Sequence, residues 1–327
     1  MSNKFHNYSD DELRELINLS AEELGLQAPY VIEKDLFVTK AISVLMNVKH
    51  EYFELIFQGG TALAKAHKII QRMSEDCDFR LIYKNPNQQR KKDAQRKILR
   101  DFRKSLLKAL LDNGFILDDH SVNIRNEGQF ISIKAQYHSL YDNQSPANLK
   151  PYLALELFLG EVKLPVVAHK IMPLISHVFG NKVNFPQIDV LCMSITETAA
   201  EKWVALTRRV ATISQREHYY DQDLVRHIYD LYMIQSKCLL DESSFIKIVK
   251  DIVDGDRIHF RKHSNLYHQD PVKAIKQSLH ELETNPCWSE NWTLFIDTMV
   301  YGDKPSYTSA MKTLKKLSDI AINAISN

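Results

Sequence analysis

The residues best suited to chemistry in this sequence are two aspartates, Asp76 and Asp78, at the start of a short apolar segment. If the segment is a strand, its side chains point alternately to opposite faces, so both carboxylates and Arg80 share one face. Neighbouring carboxylates repel one another unless a cation lies between them, and their oxygens suit Mg²⁺ with bound phosphates. The spacing therefore indicates a metal site, and the alternative is a solvated strand face.

A pair of glycines, Gly59 and Gly60, stands between an apolar segment at 52–57 and a segment of helical character at 62–70. Glycines between a strand and a helix let backbone N–H groups approach a phosphate, and the helix N-terminus adds a partial positive charge. Thr61 could cap that helix or donate its hydroxyl to the phosphate. Alone the pair indicates only a tight turn, but with the aspartates close behind it predicts a nucleotide site.

A third carboxylate is expected from Glu156, in the segment PYLALELFLGEV. Leucines alternate along this segment from 153 to 159 and mark the core face, which leaves Glu156 as the one charge in the middle of the other face. The alternative is an ordinary exposed strand glutamate. Nucleotidyl transfer requires metals that bridge the attacking and leaving oxygens. The expected chemistry is therefore transfer from a nucleoside triphosphate, with Mg²⁺, or alternatively Mn²⁺, as cofactor.

A lysine in the second half of the chain, Lys202, is expected to point inward. It lies on a predicted helix at 196–210, beside an apolar stripe made of Ala199, Trp203, Leu206 and Val210. A cation in this position could neutralise a triphosphate. The alternative is a lysine whose stem covers apolar surface while its ammonium reaches water.

The elements that must position these residues predict an α+β fold, in which a mixed sheet with helices is followed by a helical domain. A capping box at Ser9 and Glu12 opens the N-terminal helices. Strands are predicted at 52–57, 77–83, 130–137 and 151–162, a long helix at 87–111, and only helices beyond residue 186. The expected domains are N-terminal helices at 1–50 packed on the core, a nucleotidyltransferase domain at 51–186, and a helical domain at 187–327.

Composition excludes several classes of protein. The 42 Lys and Arg nearly cancel the 41 Asp and Glu, so bulk charge gives no attraction to nucleic acid or membrane. The four cysteines are far apart in the sequence, which argues against structural zinc and a disulfide framework. The sequence has neither a signal-peptide pattern nor an apolar run long enough to span a bilayer. A cytoplasmic protein without a membrane partner is expected.

One local charge concentration stands out on the predicted helix at 87–111. Its basic residues are Arg90, Lys91, Lys92, Arg96, Lys97, Arg100, Arg103, Lys104 and Lys108. The apolar positions Ile98, Leu99, Phe102, Leu106 and Leu110 form a stripe that must face the core, so most of the charge lies on the solvated face. We expect Lys91, Lys92, Arg96 and Arg100 to contact an RNA backbone. The alternative is a helix surface that serves only solvation.

Taken together, these motifs resemble a known family. The segment FQGGTALAKAHKIIQRMSEDCDF is similar to the signature of the AbiEii-type nucleotidyltransferase toxins, in which a GGTAL turn precedes an R-x-S-x-D-x-D strand. Three further segments resemble the family in order and spacing, IEKDLFVTKAI, ITETAAEKWVAL and RHIYDLYMI, and TMVYGDKPSYTSAMKTL resembles its closing region. The resemblance therefore extends over both halves of the chain.

The resemblance implies a polymerase-β-like nucleotidyltransferase domain joined to a helical domain, and a toxin paired with an antitoxin. It implies that Gly59, Gly60 and Ser74 contact phosphate, that Asp76 and Asp78 bind the metal, and that Lys202 and Asp230 belong to the catalytic site. The residues alone leave Asp230 equally suited to a surface ion pair with Arg226, four residues before it on a helix.

Some members of the family add nucleotides to the 3′ end of tRNA, so an RNA acceptor is expected, with tRNA first. Two alternatives stay open. The nucleotide could be transferred to a protein hydroxyl, for example on an antitoxin, or the domain could bind a nucleotide or partner without turnover.

The Glu33-Lys34-Asp35 triplet is expected to join the N-terminal helices to the core.

Overall fold

A computed structural model describes residues 5, 7–26, 28–85, 91–141, 150–213, 221–261 and 264–326. The described residues fall into two compact units. The first unit comprises Met1–Lys68 and Met73–Met193, and the second comprises Ile69–Arg72 and Ser194–Asn327. The short segment Ile69–Arg72 therefore belongs to the second unit although both of its neighbours in the chain belong to the first.

The first unit contains both helices and strands. Its helices are α1 (Asp10–Glu23), α2 (Pro29–Met46), α3 (Gly59–Lys65), α4 (Lys92–Asp112) and α5 (Leu174–Phe179). Its strands are β1 (Phe53–Gln58), β2 (Asp76–Tyr83), β3 (Val122–Arg125), β4 (Phe130–Ala135), β5 (Leu153–Leu159), β6 (Val167–Ile171) and β7 (Ile188–Cys192). The capping box at the start of α1 is confirmed, since Ser9 and Glu12 bond to each other's backbone N–H groups.

Within the described residues, seven strands form one mixed sheet in the order β3-β4-β5-β2-β1-β7-β6. Strand β2 lies at its centre, antiparallel to β1 and parallel to β5. A residue of β2 is therefore paired with a residue on each of two strands, β1 and β5. Strand β5 is itself paired with β4, which continues the sheet on that side. The central position of β2 thus holds its side chains in a fixed register.

The two faces of β2 differ in burial. Cys77, Phe79 and Leu81 are buried and belong to a core that includes Phe102 and Leu106 of α4. The intervening positions, among them Asp76 and Asp78, are only partly buried, as the alternation of a strand requires. The apolar face thus anchors the strand, and the polar face presents the carboxylates.

The second unit is helical in its described residues. Its helices are α6 (Ile195–Ile213), α7 (Val225–Ser236), α8 (Glu242–His259), α9 (Asn265–Gln269), α10 (Pro271–Thr284), α11 (Pro286–Met299) and α12 (Tyr307–Ser326). Large side chains such as Trp203, Tyr229, Phe245 and Trp288 are fully buried. No helix among the described residues is both long and apolar enough to cross a membrane.

The α+β organisation matches the prediction, but the expectation of only helices beyond residue 186 is wrong. Strand β7 lies there and pairs with β1 and β6. Its buried positions, Ile188, Val190 and Cys192, alternate with Asp189 and Leu191 over only five residues. So short an alternation is a weak signal beside the long helical patterns that follow it.

Candidate active site

The candidate site lies on the polar face of the sheet, where β2 runs beside β5. The register pairs Asp78 with Glu156 and Asp76 with Ala154. Directly paired residues share a face, so Asp76, Asp78 and Glu156 project from one surface of two adjacent strands. We refer to these three residues as the acidic site. The structure thus places the three predicted carboxylate residues on one face of two adjacent strands.

Gly59 lies against the carboxylate of Asp78. A Cβ added to Gly59 would lie 2.2 Å from Oδ2 of Asp78, and its φ of +78° lies in the region that favours glycine. Gly59, at the start of α3, therefore packs directly against Asp78 of β2, and no side chain fits at position 59. The glycine turn and the carboxylates therefore lie side by side, as the sequence predicted, and the approach of the turn to a phosphate stays a prediction.

Thr61 and Ser74 tie the glycine turn to the start of β2. Oγ1 of Thr61 lies 2.8 Å from Oγ of Ser74, and it also donates to the main-chain carbonyl of Asp76. Gln58 occupies the N-cap position of α3, so the suggested capping role of Thr61 is wrong. The hydroxyl of Thr61 is buried and instead fixes the turn relative to the first aspartate.

Lys150 is a member of the site that the sequence did not reveal. Its Nζ lies 2.7 Å from Oδ1 of Asp76, and its backbone N–H donates to Oε2 of Glu75 at 3.0 Å. Glu75 in turn forms a buried ion pair with Lys34 of α2 at 2.8 Å. Lys34 also donates to the main-chain carbonyl of Lys150. A buried pair therefore holds the backbone of Lys150 while its ammonium reaches the acidic site.

The other two residues of the predicted triplet also join α2 to the core. Glu33 accepts from the hydroxyl of Ser139 at 2.6 Å and from the backbone N–H of Leu140 at 2.5 Å. Asp35 forms an ion pair with Lys65 at 2.5 Å and accepts from the backbone N–H of Leu174. The expected joining role of the triplet is confirmed.

The residues of the acidic site fit a divalent metal by their chemistry. All three offer carboxylate oxygens from adjacent strands, and the lack of a side chain at Gly59 leaves the space that the Asp78 carboxylate occupies. Among the described residues, no three His, Cys, Asp or Glu side chains are grouped tightly enough to enclose an ion. The ammonium of Lys150 meanwhile neutralises Asp76. Binding a metal here would therefore require the three carboxylates to move closer together and the Lys150 ammonium to move away from Asp76.

Electrostatics at Glu156 are those of crowded carboxylates. Burial raises the pKa of Glu156, and the charge of Asp76 raises it further, while Lys150 and Arg125 act in the opposite direction. A carboxyl group whose charged form is disfavoured in this way gains from a nearby cation. A carboxyl group in such surroundings is suited to bind a metal ion, because the ion stabilises its charged form.

In the second unit, Asp230 is the centre of a buried charge cluster. It is fully buried, and its carboxylate accepts from Nε and a terminal nitrogen of Arg72 at 2.7 and 2.8 Å. Nζ of Lys202 lies 2.8 Å from Oδ2 of the same carboxylate. Arg226 pairs instead with Asp223 at 3.0 Å. The surface ion pair between Asp230 and Arg226 is therefore wrong, and the inward orientation of Lys202 is confirmed.

The charges of this cluster depend on one another. Burial alone would raise the pKa of Asp230, but the neighbouring charges of Arg72 and Lys202 hold it below its ordinary value. The adjacent His227 has its pKa held well below its ordinary value by burial and by the charge of Lys202. Arg72 is the arginine of the R-x-S-x-D-x-D motif, but the sequence does not indicate Asp230 as its partner, because 158 residues separate the two.

The basic helix α4 begins at Lys92, and Arg90 lies outside the described residues. Lys91, Lys92 and Arg100 are exposed. Arg96 is exposed too, but its guanidinium forms a pair with Glu127 at 2.6 Å. The predicted apolar stripe is buried at Leu99, Phe102, Leu106 and Leu110. The charge thus lies on the solvated face, as predicted.

Comparisons with known proteins bear on the family and the fold of the chain. A family model described as "Nucleotidyl transferase AbiEii toxin, Type IV TA system" matches residues 47–317. Among solved structures, MenT4, a nucleotidyltransferase toxin from Mycobacterium tuberculosis H37Rv, is similar with a TM-score of 0.53 and 17% identity. That similarity covers 93% of this chain and 89% of the other, and at this identity it shows the fold alone. No curated protein matches the chain in sequence.

Proposed function

Because the chain belongs to the AbiEii family of type IV nucleotidyltransferase toxins, we propose that it transfers a nucleoside monophosphate from a nucleoside triphosphate to the 3′ end of an RNA, with tRNA as the acceptor. In this reaction the acceptor hydroxyl loses its proton to water and its oxygen bonds to the α-phosphorus, while the bond from the α-phosphorus to the oxygen bridging to the β-phosphate breaks and pyrophosphate leaves. The observation that carries the proposal is the pairing of Asp78 with Glu156 beside the Gly59 turn.

The acidic site is proposed to hold Mg²⁺ through Asp76, Asp78 and Glu156. When bound, the metal supplies charge neutralisation for the transferred phosphoryl group. The oxygen-only donor set favours Mg²⁺, with Mn²⁺ as an alternative, over softer metals. Lys150 pairs with the Asp76 carboxylate, so its ammonium would have to be displaced when the metal binds.

The phosphates of the nucleotide are proposed to lie at the turn formed by Gly59, Gly60 and Thr61. Glycines at the start of a helix let backbone N–H groups approach a phosphate, and Gly59 is only partly buried there. The hydroxyl of Ser74 is proposed as a further phosphate donor, and Thr61 supports it at 2.8 Å. Thr61 itself is proposed to act through this contact rather than directly on phosphate.

Lys202 is proposed to neutralise the triphosphate, and Asp230 to hold Lys202 in place. A fully buried carboxylate that is bonded to Arg72 and Lys202 is suited to fixing a cation rather than to meeting a substrate. Lys202→Ala is expected to lower transfer by roughly 100-fold or more, the order seen when a group that stabilises developing charge is removed. Lys202→Arg should restore little, because a planar fork replaces a point charge.

The exposed basic residues Lys91, Lys92, Arg96 and Arg100 are proposed to contact the RNA backbone. A near-neutral protein with one concentrated basic helix has a local electrostatic footprint for a polyanion. Membership of a type IV toxin family implies a cognate antitoxin as a further partner. We propose that both encounters take place in the cytoplasm, where triphosphates and tRNA are available.

The deciding experiment incubates the protein with labelled nucleoside triphosphates and separate RNA and protein pools. Label on RNA, lost in Asp76→Ala, in Asp78→Ala and in EDTA, is the expected result. Wild-type transfer rates in either variant would contradict the metal assignment. Label on protein alone would instead establish the alternative acceptor, a protein hydroxyl, and would remove the RNA from the proposal.

A further inference from the structure

Four side chains form a continuous row across the sheet, on the face that carries the acidic site. The register pairs Arg80 of β2 with Phe158 of β5, Phe158 with Phe130 of β4, and Phe130 with Arg125 of β3. Directly paired residues share a face, so the four side chains are neighbours on one surface. We call them the arginine–phenylalanine row.

Each phenyl ring of the row has an arginine over it. Cζ of Arg80 lies 5.0 Å from the ring centroid of Phe158, and Cζ of Arg125 lies 5.6 Å from that of Phe130. Both distances are within the range of a cation–π interaction. Nε of Arg80 also donates to the side-chain oxygen of Gln58 at 3.2 Å, which fixes the guanidinium over the sheet. The row is therefore an ordered arrangement of two cations and two aromatic rings.

Gly160, just beyond β5, leaves the space that this arrangement needs. A Cβ added there would lie 2.9 Å from a terminal nitrogen of Arg80 and 3.0 Å from the ring of Phe158. A side chain at this position would push the guanidinium away from the ring. The contact between Arg80 and Phe158 thus depends on a glycine in the neighbouring turn.

The row is accessible and lies next to the acidic site. Phe158 is 40% exposed, an unusual position for a large aromatic side chain, and Arg125 is exposed as well. Arg80 and Phe158 stand two residues further along their strands than Asp78 and Glu156, which corresponds to about 7 Å. A ligand on the row would therefore reach the proposed reaction centre within about one nucleotide.

Unpaired nucleotides have the chemistry that this surface fits. Their bases stack on aromatic rings and on guanidinium planes, and their phosphates attract the arginines. Bases inside a duplex have both faces covered, so only a single strand can use such a surface. From β2 the row extends through β5 and β4 to β3, whereas the glycine turn follows β1 on the other side of β2. The members of the row on β5, β4 and β3 thus lie on the side of the acidic site away from the proposed triphosphate position, whereas Arg80 reaches Gln58, which directly precedes the glycine turn.

We propose that the arginine–phenylalanine row is a stacking platform for an unpaired nucleotide of the acceptor RNA. This inference rests on the proposed function and names the surface that presents the acceptor's end to the acidic site. The exposed ring of Phe158 and the Arg80 guanidinium that lies over it form the stacking surface, and the charges of Arg80 and Arg125 bind the adjoining phosphates.

The test measures RNA binding without metal or nucleotide, in EDTA. The probes are a fluorescein-labelled single-stranded RNA of eight nucleotides and a blunt-ended RNA hairpin of about eight base pairs whose strands are joined by a non-nucleotide linker, so that every base is paired. Phe158→Ala should weaken binding of the single strand by about 5-fold to 30-fold, the order of one lost stack, and leave the hairpin within twofold. Ile124→Ala is the matched control, because Ile124 is 42% exposed on β3 but points to the opposite face from Arg125.

A second variant keeps the measurement independent of any change in stability. Phe158→Trp should preserve affinity for the single strand, and the added tryptophan fluorescence should be quenched when that RNA binds, because a base stacks on the ring. Equal losses for single strand and hairpin in Phe158→Ala, or no quenching in Phe158→Trp, would overturn the proposal. Weakened nucleoside triphosphate binding with unchanged RNA binding would also overturn it, because the row would then hold the donor base.

The outcome can be separated from that of the proposed function. The change in RNA binding that Phe158→Ala causes in EDTA reports on the row without the reaction, whereas transfer of label reports on the acidic site. Intact transfer together with unchanged RNA binding by Phe158→Ala would contradict the stacking platform and leave the proposed enzymatic activity standing. Fluorescence quenching in Phe158→Trp without any transfer to RNA would contradict the proposed reaction and leave the RNA-binding surface standing.

Discussion

Nζ of Lys150 lies 2.7 Å from Oδ1 of Asp76, so the first carboxylate of the acidic site already has a cationic partner. Both side chains are about one-third exposed, which makes the pair modest in strength. Lys150→Gln should tighten Mn²⁺ binding in the absence of nucleotide by about twofold to fivefold, because the metal no longer competes with a tethered ammonium. Mn²⁺ titration followed by electron paramagnetic resonance measures this. Lys170→Gln, at an exposed lysine of β6, is the control, and equal affinities in all three proteins would contradict the competition.

Gly59→Ala should abolish transfer and lower the free energy of unfolding by about 1–3 kcal/mol, since it strains the backbone and drives a methyl group into Asp78. Gly180→Ala is a matched control, because Gly180 also has a positive φ, of +57°, but nothing lies within 4 Å of its added Cβ. Urea unfolding and a transfer assay on both variants separate the two effects. Full activity in Gly59→Ala would show that the contact with Asp78 is dispensable.

Asp230→Asn should destabilise the protein by about 3–5 kcal/mol, because it leaves the cations of Arg72 and Lys202 buried without their counter-charge. Asp223→Asn makes the same chemical change in an exposed ion pair with Arg226 and should cost less than about 1 kcal/mol. Thermal unfolding of the two variants gives the comparison. Similar losses in both would mean that the buried cluster contributes no more than a surface pair.

His227 should make stability fall as the pH decreases below about 6.5. Burial and the charge of Lys202 lower its pKa in the folded protein, so the unfolded chain takes up the proton first. The contribution is complete above the ordinary pKa of histidine and is lost, by at most about 1.4 kcal/mol per pH unit, toward the lower folded value. Urea unfolding at pH 7.5 and 5.5 should show a smaller decrease in His227→Asn than in the wild type. His280→Asn, at an exposed position of α10, is the control, and parallel pH profiles for His227→Asn and wild type would disprove the assignment.

Replacing Lys91, Lys92 and Arg100 by Glu should weaken RNA binding strongly and flatten its dependence on salt, because fewer counterions are released. Arg96 is left intact in this variant, since its pair with Glu127 would confuse the comparison. Nucleoside triphosphate affinity should stay within about twofold. Affinity for RNA is measured across a salt series. If affinity depends on salt concentration equally in the variant and the wild type, α4 does not contact the RNA backbone.

The sequence was sufficient to predict the parts of the site that depend on local periodicity. Alternation along β2 and β5 placed Asp76, Asp78 and Glu156 on one face, and the helical stripe of α6 turned Lys202 inward. The strand register that sets Asp78 beside Glu156 is a tertiary fact, but it agrees with each strand's own pattern.

What the sequence could not predict depends on pairing between distant segments. Lys150 approaches Asp76 only because Glu75 and Lys34 hold its backbone, and Arg72 finds Asp230 across 158 residues. The arginine–phenylalanine row draws one residue from each of four strands. No spacing rule along one segment contains such information, since it arises from the order of strands in the sheet.

The path of the chain at Ile69–Arg72 restricts how proteins of this kind can be dissected or recombined. These four residues belong to the second unit, where Arg72 bonds Asp230 and the carbonyl of Gln71 accepts from the backbone N–H groups of Tyr301 and Gly302. A fragment ending at Met193 would carry Arg72 without its carboxylate, and one starting at Ser194 would keep Asp230 without its guanidinium. A chimera that exchanges the helical half between relatives should therefore carry residues 69–72 with it, as a short second insert.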